Sequence, residues 1–201
     1  MNIGIYIYDQ AEVLDFSGPF EVFSTASRIC PGENPFTVFL IGETGGIVTA
    51  RAGYQVKPAY GFADHPAIDV LIVSGGVHYG EMKKPNVIRW IAHQAKKAEI
   101  VASVCTGAFL LAAAELLKDR NVTTHWSDIE SLQKHYPDLT VRDSVRWIDE
   151  GDVVTSGGIS AGIDMSLHIV ARLHGLDLAR RTALQMEFHW TEPEQRQPIK
   201  G

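Results

Sequence analysis

Short runs of β-branched and aromatic residues alternate with helical patterns along the first half of the chain, and this alternation constrains the fold more than any other feature. The strand-like runs cover residues 2–8, 36–41, 69–73 and 100–104. The helical patterns cover residues 20–28 after Gly18-Pro19, residues 87–97 after Pro85-Asn86, and the apolar run that begins at Thr106. Such alternation predicts an α/β fold of three layers, in which helices cover both faces of a mostly parallel central sheet.

The second half of the chain predicts elements that complete the same unit. They are a strand at 122–124, a helix at 128–135, a hairpin of strands 145–148 and 153–156 with its turn at 149–152, and closing helices at 160–174 and 178–188. The polar segment 191–201 contains two prolines and is expected to be a loose tail. With no repeat and no long linker, residues 1–201 are expected to form a single domain.

Charge and composition exclude several classes of partner. The net charge is −6, and the basic side chains form no cluster beyond Lys83-Lys84 and Lys96-Lys97, so no nucleic-acid partner is expected. The first residues show no charged leader or cleavage site, and no long apolar segment follows, so we expect a cytoplasmic protein without membrane contact. In that compartment Cys30 and Cys105 are expected to be reduced.

Cys105 is the most informative single residue. A strand-like run ends at it, and the helical run beginning Thr106-Gly107 follows at once, which predicts a tight strand-to-helix turn with Cys105 at its tip. The N–H groups of the first helical turn would point at the sulfur, lower the thiol pKa and favour the thiolate. A side chain at position 107 would crowd the turn. The alternative is that Cys105 is a small buried hydrophobe.

A glycine pair, Gly75-Gly76, ends the strand-like run before it. Its backbone N–H groups would lie near the carboxyl ends of the parallel strands, where they could form an anion hole. The alternative is that the glycines merely turn the chain.

Three polar side chains are candidates to assist the thiol. Asp15 and Glu21 follow the first strand, and either carboxylate could transfer protons near the sulfur; the alternatives are a turn or N-cap for Asp15 and a solvated helix position for Glu21. His125, in the segment TTHW, could approach Cys105. The alternative is chance, because a chain with 8 histidines is expected to have one of them at a strand end. The remaining histidines show no metal-ligand spacing, so no metal site is expected.

Five segments together resemble the DJ-1/PfpI superfamily, whose fold is flavodoxin-like and of the class I glutamine amidotransferase type. They are DFSGPFEVF, the glycine pair, SVCTGAF, TTHW and TSGGISAGIDMSLHIV, and they span nearly the whole chain in the family order. The patterns are most similar to the isonitrile hydratase branch and to the ligand-binding half of AraC-type regulators. Because no basic recognition helix follows the closing helices, the resemblance favours an enzyme.

The resemblance also implies roles for individual residues. It places the nucleophile at Cys105, the catalytic acid at Asp15 and a supporting threonine at Thr106, with Gly75 and Gly76 near developing charge. The implied reaction converts an isonitrile and water to an N-substituted formamide without any cofactor, in a homodimer that takes a small-molecule substrate. The protease branch has a histidine at the position of Thr106, so peptidase activity is not expected.

The sequence leaves two alternatives to the hydratase open. One is a thiol-based redox or small-ligand sensing module without turnover, and the other is a glyoxalase- or deglycase-type enzyme. Which of Asp15 and Glu21 contacts the thiol, and whether His125 takes part, cannot be decided from spacing alone.

Overall fold

The computed structural model describes residues 1–192 and contains a six-stranded sheet with the order β2-β1-β5-β6-β10-β9. The predicted loose tail lies outside the described residues from position 193 onward. The strands are β1 (Asn2–Tyr6), β2 (Thr37–Ile41), β3 (Val48–Thr49), β4 (Gln55–Val56), β5 (Val70–Val73), β6 (Ile100–Val104), β7 (Asn121–Val122), β8 (Thr140–Val141), β9 (Trp147–Asp149) and β10 (Val153–Ser156). The helices are α1 (Val13–Ile29), α2 (Tyr79–Met82), α3 (Pro85–Ala95), α4 (Gly107–Ala113), α5 (Ile129–His135), α6 (Ala161–His174) and α7 (Leu176–Gln185).

The central sheet is parallel except at one edge, where β9 runs antiparallel to β10 as the predicted hairpin. Every residue of β5 and β6 is buried, which is why both read as continuous apolar runs rather than alternating ones. Helices α1, α6 and α7 pack on one another, and α2, α3 and α4 form a second group. The predicted three-layer α/β fold is confirmed.

Register aligns the carboxyl ends of four parallel strands. Tyr6 pairs with Val73, Val73 with Ser103, and Ser103 with Thr155. The loops that leave these strands therefore meet at one edge of the sheet, beside the point where the strand order reverses around β1, and ligands bind at this position in open α/β sheets.

The start of the first helix differs from the prediction. Gly18-Pro19 was expected to open it, but α1 begins at Val13 and Pro19 lies inside the helix. A proline there removes one intrahelical hydrogen bond, yet Asp15, Phe16 and Pro19 are all buried, so tertiary packing outweighs the local preference. Asp15 is consequently a helical residue and not part of a turn.

Several short elements had no clear sequence signal, because strands of two residues carry too little pattern. They are the paired strands β3 and β4, strand β8, and the single-turn helix α2. Strand β8 pairs with β7. Within residues 1–192, no helix is both long and apolar enough to cross a bilayer.

Candidate active site

Cys105 occupies the turn between β6 and α4 in a left-handed backbone conformation, with φ of 58°. Its N–H donates to the carbonyls of Ser156 and Gly157, both at 3.2 Å, and its own carbonyl accepts the Thr124 hydroxyl at 2.8 Å. A non-glycine residue holds this conformation only where its surroundings impose it, and these three hydrogen bonds do so. The predicted elbow is therefore present, and Cys105 as a whole is 7% exposed.

Gly107 has no room for a side chain, as expected from the sequence. A Cβ atom there would lie 2.2 Å from the Val73 carbonyl oxygen. The first turn of α4 therefore packs directly on the end of β5, which brings the Cys105 and Gly75 loops together.

Asp15 is completely buried, and its carboxylate is held from two sides. The Gly75 N–H donates to Oδ2 and the Ile159 N–H donates to Oδ1, each at 3.1 Å. Burial raises the pKa of Asp15 to about 7, and the nearby Glu12 charge adds to this, while the two N–H groups and the Cys105 thiol act in the opposite direction. The carboxyl group therefore changes protonation near neutral pH.

A side-chain hydrogen bond joins the Asp15 carboxylate to the Cys105 thiol. Burial, and then the Asp15 charge, raise the pKa of Cys105 well above its ordinary value, although the Thr106 N–H lowers it. The predicted low-pKa thiolate is therefore wrong for the free protein, because burial and the carboxylate outweigh the helix N-terminus. Above pH 7 the pair holds one proton, on the thiol, which donates to the carboxylate, and below pH 7 the carboxyl group is protonated as well.

The glycine pair is committed to structural hydrogen bonds, so its N–H groups do not form the predicted anion hole. Gly75 donates to Asp15, and Gly76 donates to Thr106 Oγ1 at 2.9 Å. The Thr106 hydroxyl in turn donates to the Gly76 carbonyl at 2.9 Å. The side chain of Thr106 therefore joins the loop after β6 to the loop after β5 by hydrogen bonds. The backbone N–H of Thr106 faces the Cys105 sulfur.

The structure does not bring Glu21 to the thiol. Its side chain is exposed on α1 and accepts a hydrogen bond from Thr25 one turn further along the helix. His125 lies at the edge of the site, where its Nδ1 contacts the Ser127 hydroxyl at 2.7 Å. Its ring packs on the backbone of Gly158, since a Cβ there would lie 2.1 Å from His125 Cδ2.

A cavity of about 260 Å³ opens at Cys105. It is lined by Glu12, Arg51, Gly76, Val77, His78, Tyr79, Cys105, Thr106, His125, Ser127, Asp128 and Ile159. Its volume suits a small molecule. A larger groove of about 930 Å³ adjoins it and shares His125 and Ile159 with it.

Among the lining residues that the sequence does not predict, three have identifiable contacts or electrostatic effects at the site. Ile159 fixes Asp15 through its N–H, with φ of 56°, and Glu12 raises the pKa of that carboxyl. His78 stacks on Phe109 with ring centroids 4.3 Å apart, and burial lowers its pKa, so its imidazole is neutral at pH 7. Of the three, only Ile159 lay in a segment already singled out, TSGGIS, where the paired glycines were the available signal.

The fold and the site define a three-layer α/β protein with a cysteine on a strained elbow beside a buried carboxylate. Residues 1–172 match the DJ-1/PfpI family, and the chain belongs to that family.

Individual relatives agree with this assignment. The chain is 35% identical over 189 residues to the isonitrile hydratase of Pseudomonas putida, which covers 94% of this chain and 78% of the relative. It is 27% identical over 202 residues to the HTH-type transcriptional regulator GbdR of Pseudomonas aeruginosa, covering 99% of this chain and 54% of the regulator, so it spans about half the regulator's length. The crystal structure of a THiJ/PfpI family protein from Pseudomonas syringae superimposes with a TM-score of 0.83 at 25% identity, covering 96% of this chain and 76% of that one.

Proposed function

We propose that this protein is a cysteine-dependent hydratase that converts an isonitrile and water to an N-substituted formamide. The observation that carries the proposal is the buried pair of Asp15 and Cys105, in which the carboxylate form of Asp15 can accept the proton that the thiol carries. An isonitrile must receive a nucleophile and a proton on the same terminal carbon, and this pair supplies both from one place. The 35% identity to an isonitrile hydratase supports the same chemistry.

In the first step, the thiol proton moves to Asp15 and the sulfur bonds to the terminal carbon of R–N≡C. Asp15 then gives the proton to that carbon, which leaves a thioimidate, R–N=CH–S, on Cys105 and a free carboxylate. The Thr106 N–H stabilises the thiolate as it forms. Gly75 and Ile159 hold both carboxylate oxygens in position, so the proton travels along a fixed path.

In the second step, Asp15 accepts a proton from water while the water oxygen adds to the thioimidate carbon. That proton passes to nitrogen, the carbon–sulfur bond breaks, and the remaining hydroxyl proton returns to the sulfur. The product is R–NH–CHO, and the Asp15–Cys105 pair regains its starting proton. The apolar side chains of Val77, Tyr79 and Ile159 line the same cavity, which suits a hydrocarbon R group.

A second candidate function is ligand sensing without turnover. Its support is the match to a transcriptional regulator over 99% of this chain. For the same reason, the expectation that the protein binds no nucleic acid stays a prediction. Redox sensing fits the site less well, because Cys105 is buried and its pKa is raised, whereas peroxide-reactive cysteines are exposed thiolates.

The deciding experiment measures the turnover of cyclohexyl isocyanide to its formamide, with gas chromatography to detect the product. We expect turnover by the wild type and none above background in Cys105→Ala and Asp15→Asn. Cys30→Ala and Glu21→Gln are matched controls, since neither side chain reaches the cavity, and both should retain activity. A folded wild type that binds the isonitrile without forming product would reject the hydratase and support sensing, while lactate formed from methylglyoxal alone would support a glyoxalase.

We also propose that the protein acts as a homodimer whose interface lies beside the cavity. Val77, Tyr79, Trp126 and Ile159 are 44%, 55%, 80% and 40% exposed around the cavity and its adjoining groove. A concentration of exposed apolar side chains marks an interaction surface. Light scattering should give a dimer for the wild type and for Leu184→Asp, which changes an exposed leucine elsewhere, and a monomer for Trp126→Asp. A monomeric wild type contradicts the proposal.

A further inference from the structure

A second group of reactive side chains lies at the helix ends, away from the cavity. Cys30 follows the last residue of α1, His174 is the last residue of α6, and Glu33 lies in the loop after α1. Within residues 1–192, these three side chains are the one group of metal-ligating type whose ligand atoms all lie within 4.8 Å of one another.

The local sequence explains why Cys30 and Glu33 meet. Pro31 and Gly32 separate them, and Gly32 has a φ of 72°. Proline followed by a glycine with positive φ is the signature of a type II turn, which brings its first and fourth residues together. Helix packing then places His174 beside this turn, and the His174 ring meets the edge of Phe36 with centroids 6.3 Å apart.

The distances between these atoms suit a tetrahedral metal ion. Cys30 Sγ is 3.9 Å from His174 Nε2, and His174 Nε2 is 3.3 Å from Glu33 Oε2. Ligands of a tetrahedral zinc ion are separated by about 3.3–3.6 Å, given bonds of about 2.3 Å to sulfur and about 2.0–2.1 Å to nitrogen and oxygen. A small movement of the partly exposed Cys30 would complete the geometry.

We propose that Cys30, Glu33 and His174 bind a divalent zinc ion, with water as the fourth ligand. An ion pair between His174 and Glu33 would explain two of the three side chains but leaves the adjacent thiol without a role. A thiolate, an imidazole and a carboxylate together favour zinc over magnesium or calcium, which prefer oxygen ligands alone. The thiolate and the carboxylate balance the charge of the ion.

The ion would connect the ends of two packed helices that are far apart in sequence. Helix α1 carries Asp15, and α6 packs against it. Because the three ligands come together only in the folded chain, zinc would bind the native state preferentially and raise its thermal stability. None of the three ligands lines the cavity at Cys105.

Cobalt(II), a spectroscopic substitute for zinc, provides the first test. Untagged protein in a Cys105→Ala background removes the other thiol, so any sulfur-to-cobalt charge-transfer band in the near ultraviolet must come from Cys30. We expect one cobalt per chain, displaced by zinc, and loss of the band in Cys30→Ser. His174→Ala and Glu33→Gln should weaken binding by at least the roughly 10–100-fold that the loss of an outer-shell contact costs.

His135→Ala is the matched control, because this histidine is likewise an exposed residue at the end of a helix but lies outside the cluster. It should bind cobalt like the parent protein. Absence of the charge-transfer band, or a band that persists in Cys30→Ser, would overturn the proposal. As a second readout, zinc should raise the Tm of the parent and of His135→Ala but not of Cys30→Ser; an equal rise in all three contradicts it.

Discussion

The backbone N–H of Ile159 donates to Oδ1 of Asp15 at 3.1 Å and so joins the loop after β10 to the first helix. Gly75 holds the other carboxylate oxygen from the loop after β5. With both oxygens fixed by backbone groups, the buried carboxylate is held in one position beside the Cys105 thiol, where it can accept the thiol proton. The expected behaviour of the protein with pH follows from this arrangement.

The first prediction concerns the pH dependence of kcat/KM for an isonitrile. The carboxylate form of Asp15 must accept the thiol proton, so activity should fall about tenfold per pH unit below the pKa of Asp15, which is about 7. Initial rates between pH 5 and 8, with circular dichroism to confirm that the protein stays folded, provide the measurement. A flat profile over this range would assign the proton acceptor to another group.

The second prediction uses Glu12, whose negative charge raises the pKa of Asp15. Glu12→Gln removes that charge, so the acid limb of the kcat/KM profile should move to lower pH. Glu21→Gln, on the exposed face of α1, is the control and should leave the limb in place. If the acid limb shifts by the same amount in both variants, the overall charge of the protein, rather than the nearby Glu12, sets the pKa of Asp15.

The third prediction concerns stability. A carboxyl group whose pKa is raised in the folded state stabilises the fold at low pH, and this contribution is lost as pH rises toward the folded pKa. For Asp15, the pKa rises from 3.8 to about 7 on folding, so the free energy of unfolding should fall by about 3 kcal/mol between pH 4 and 7 relative to Asp15→Asn. Urea unfolding of both proteins across this range measures the difference. If the free energy of unfolding changes with pH in the same way in both proteins, the prediction is contradicted.

Local pattern was enough to predict the sheet and the elbow. The buried run of β6 ends at Val104 and the apolar run of α4 begins at Gly107, so the place of Cys105 in the turn between them follows from neighbouring residues alone. The family assignment rested on the same local segments and is confirmed.

Features that depend on contacts between distant segments were not predictable. The thiol pKa was expected to fall because the helix N-terminus is visible in the sequence, whereas the burial and the Asp15 charge that raise it are not. The same reason applies to Gly75 and Gly76, whose N–H groups are used by Asp15 and Thr106. The cluster at Cys30 was missed because its histidine lies at the far end of the chain.

The fourth prediction concerns Gly75, where a Cβ atom would lie 2.6 Å from the Thr106 nitrogen and 2.7 Å from Asp15 Oδ2. Gly75→Ala should destabilise the fold by about 1–3 kcal/mol, as overpacking typically does, and should lower kcat by displacing the carboxylate. Gly80→Ala is the control, because a Cβ at that position meets no atom within 4 Å. Urea unfolding should show no loss of stability for Gly80→Ala; equal losses in the two variants would contradict the argument.

The fifth prediction distinguishes the hydrogen bonds of the Thr106 hydroxyl from the packing of its methyl group. Thr106 Oγ1 accepts the Gly76 N–H and donates to the Gly76 carbonyl, both at 2.9 Å, so Thr106→Val leaves both backbone groups without their partner. The cost should be about 1–3 kcal/mol in the free energy of unfolding, whereas Thr106→Ser keeps the hydroxyl and should cost less. The same order should appear in kcat, because the Gly76 loop adjoins Gly75, which positions Asp15. If the serine variant is as impaired as the valine variant, the methyl group and its packing, rather than the hydrogen bonds, hold the loop.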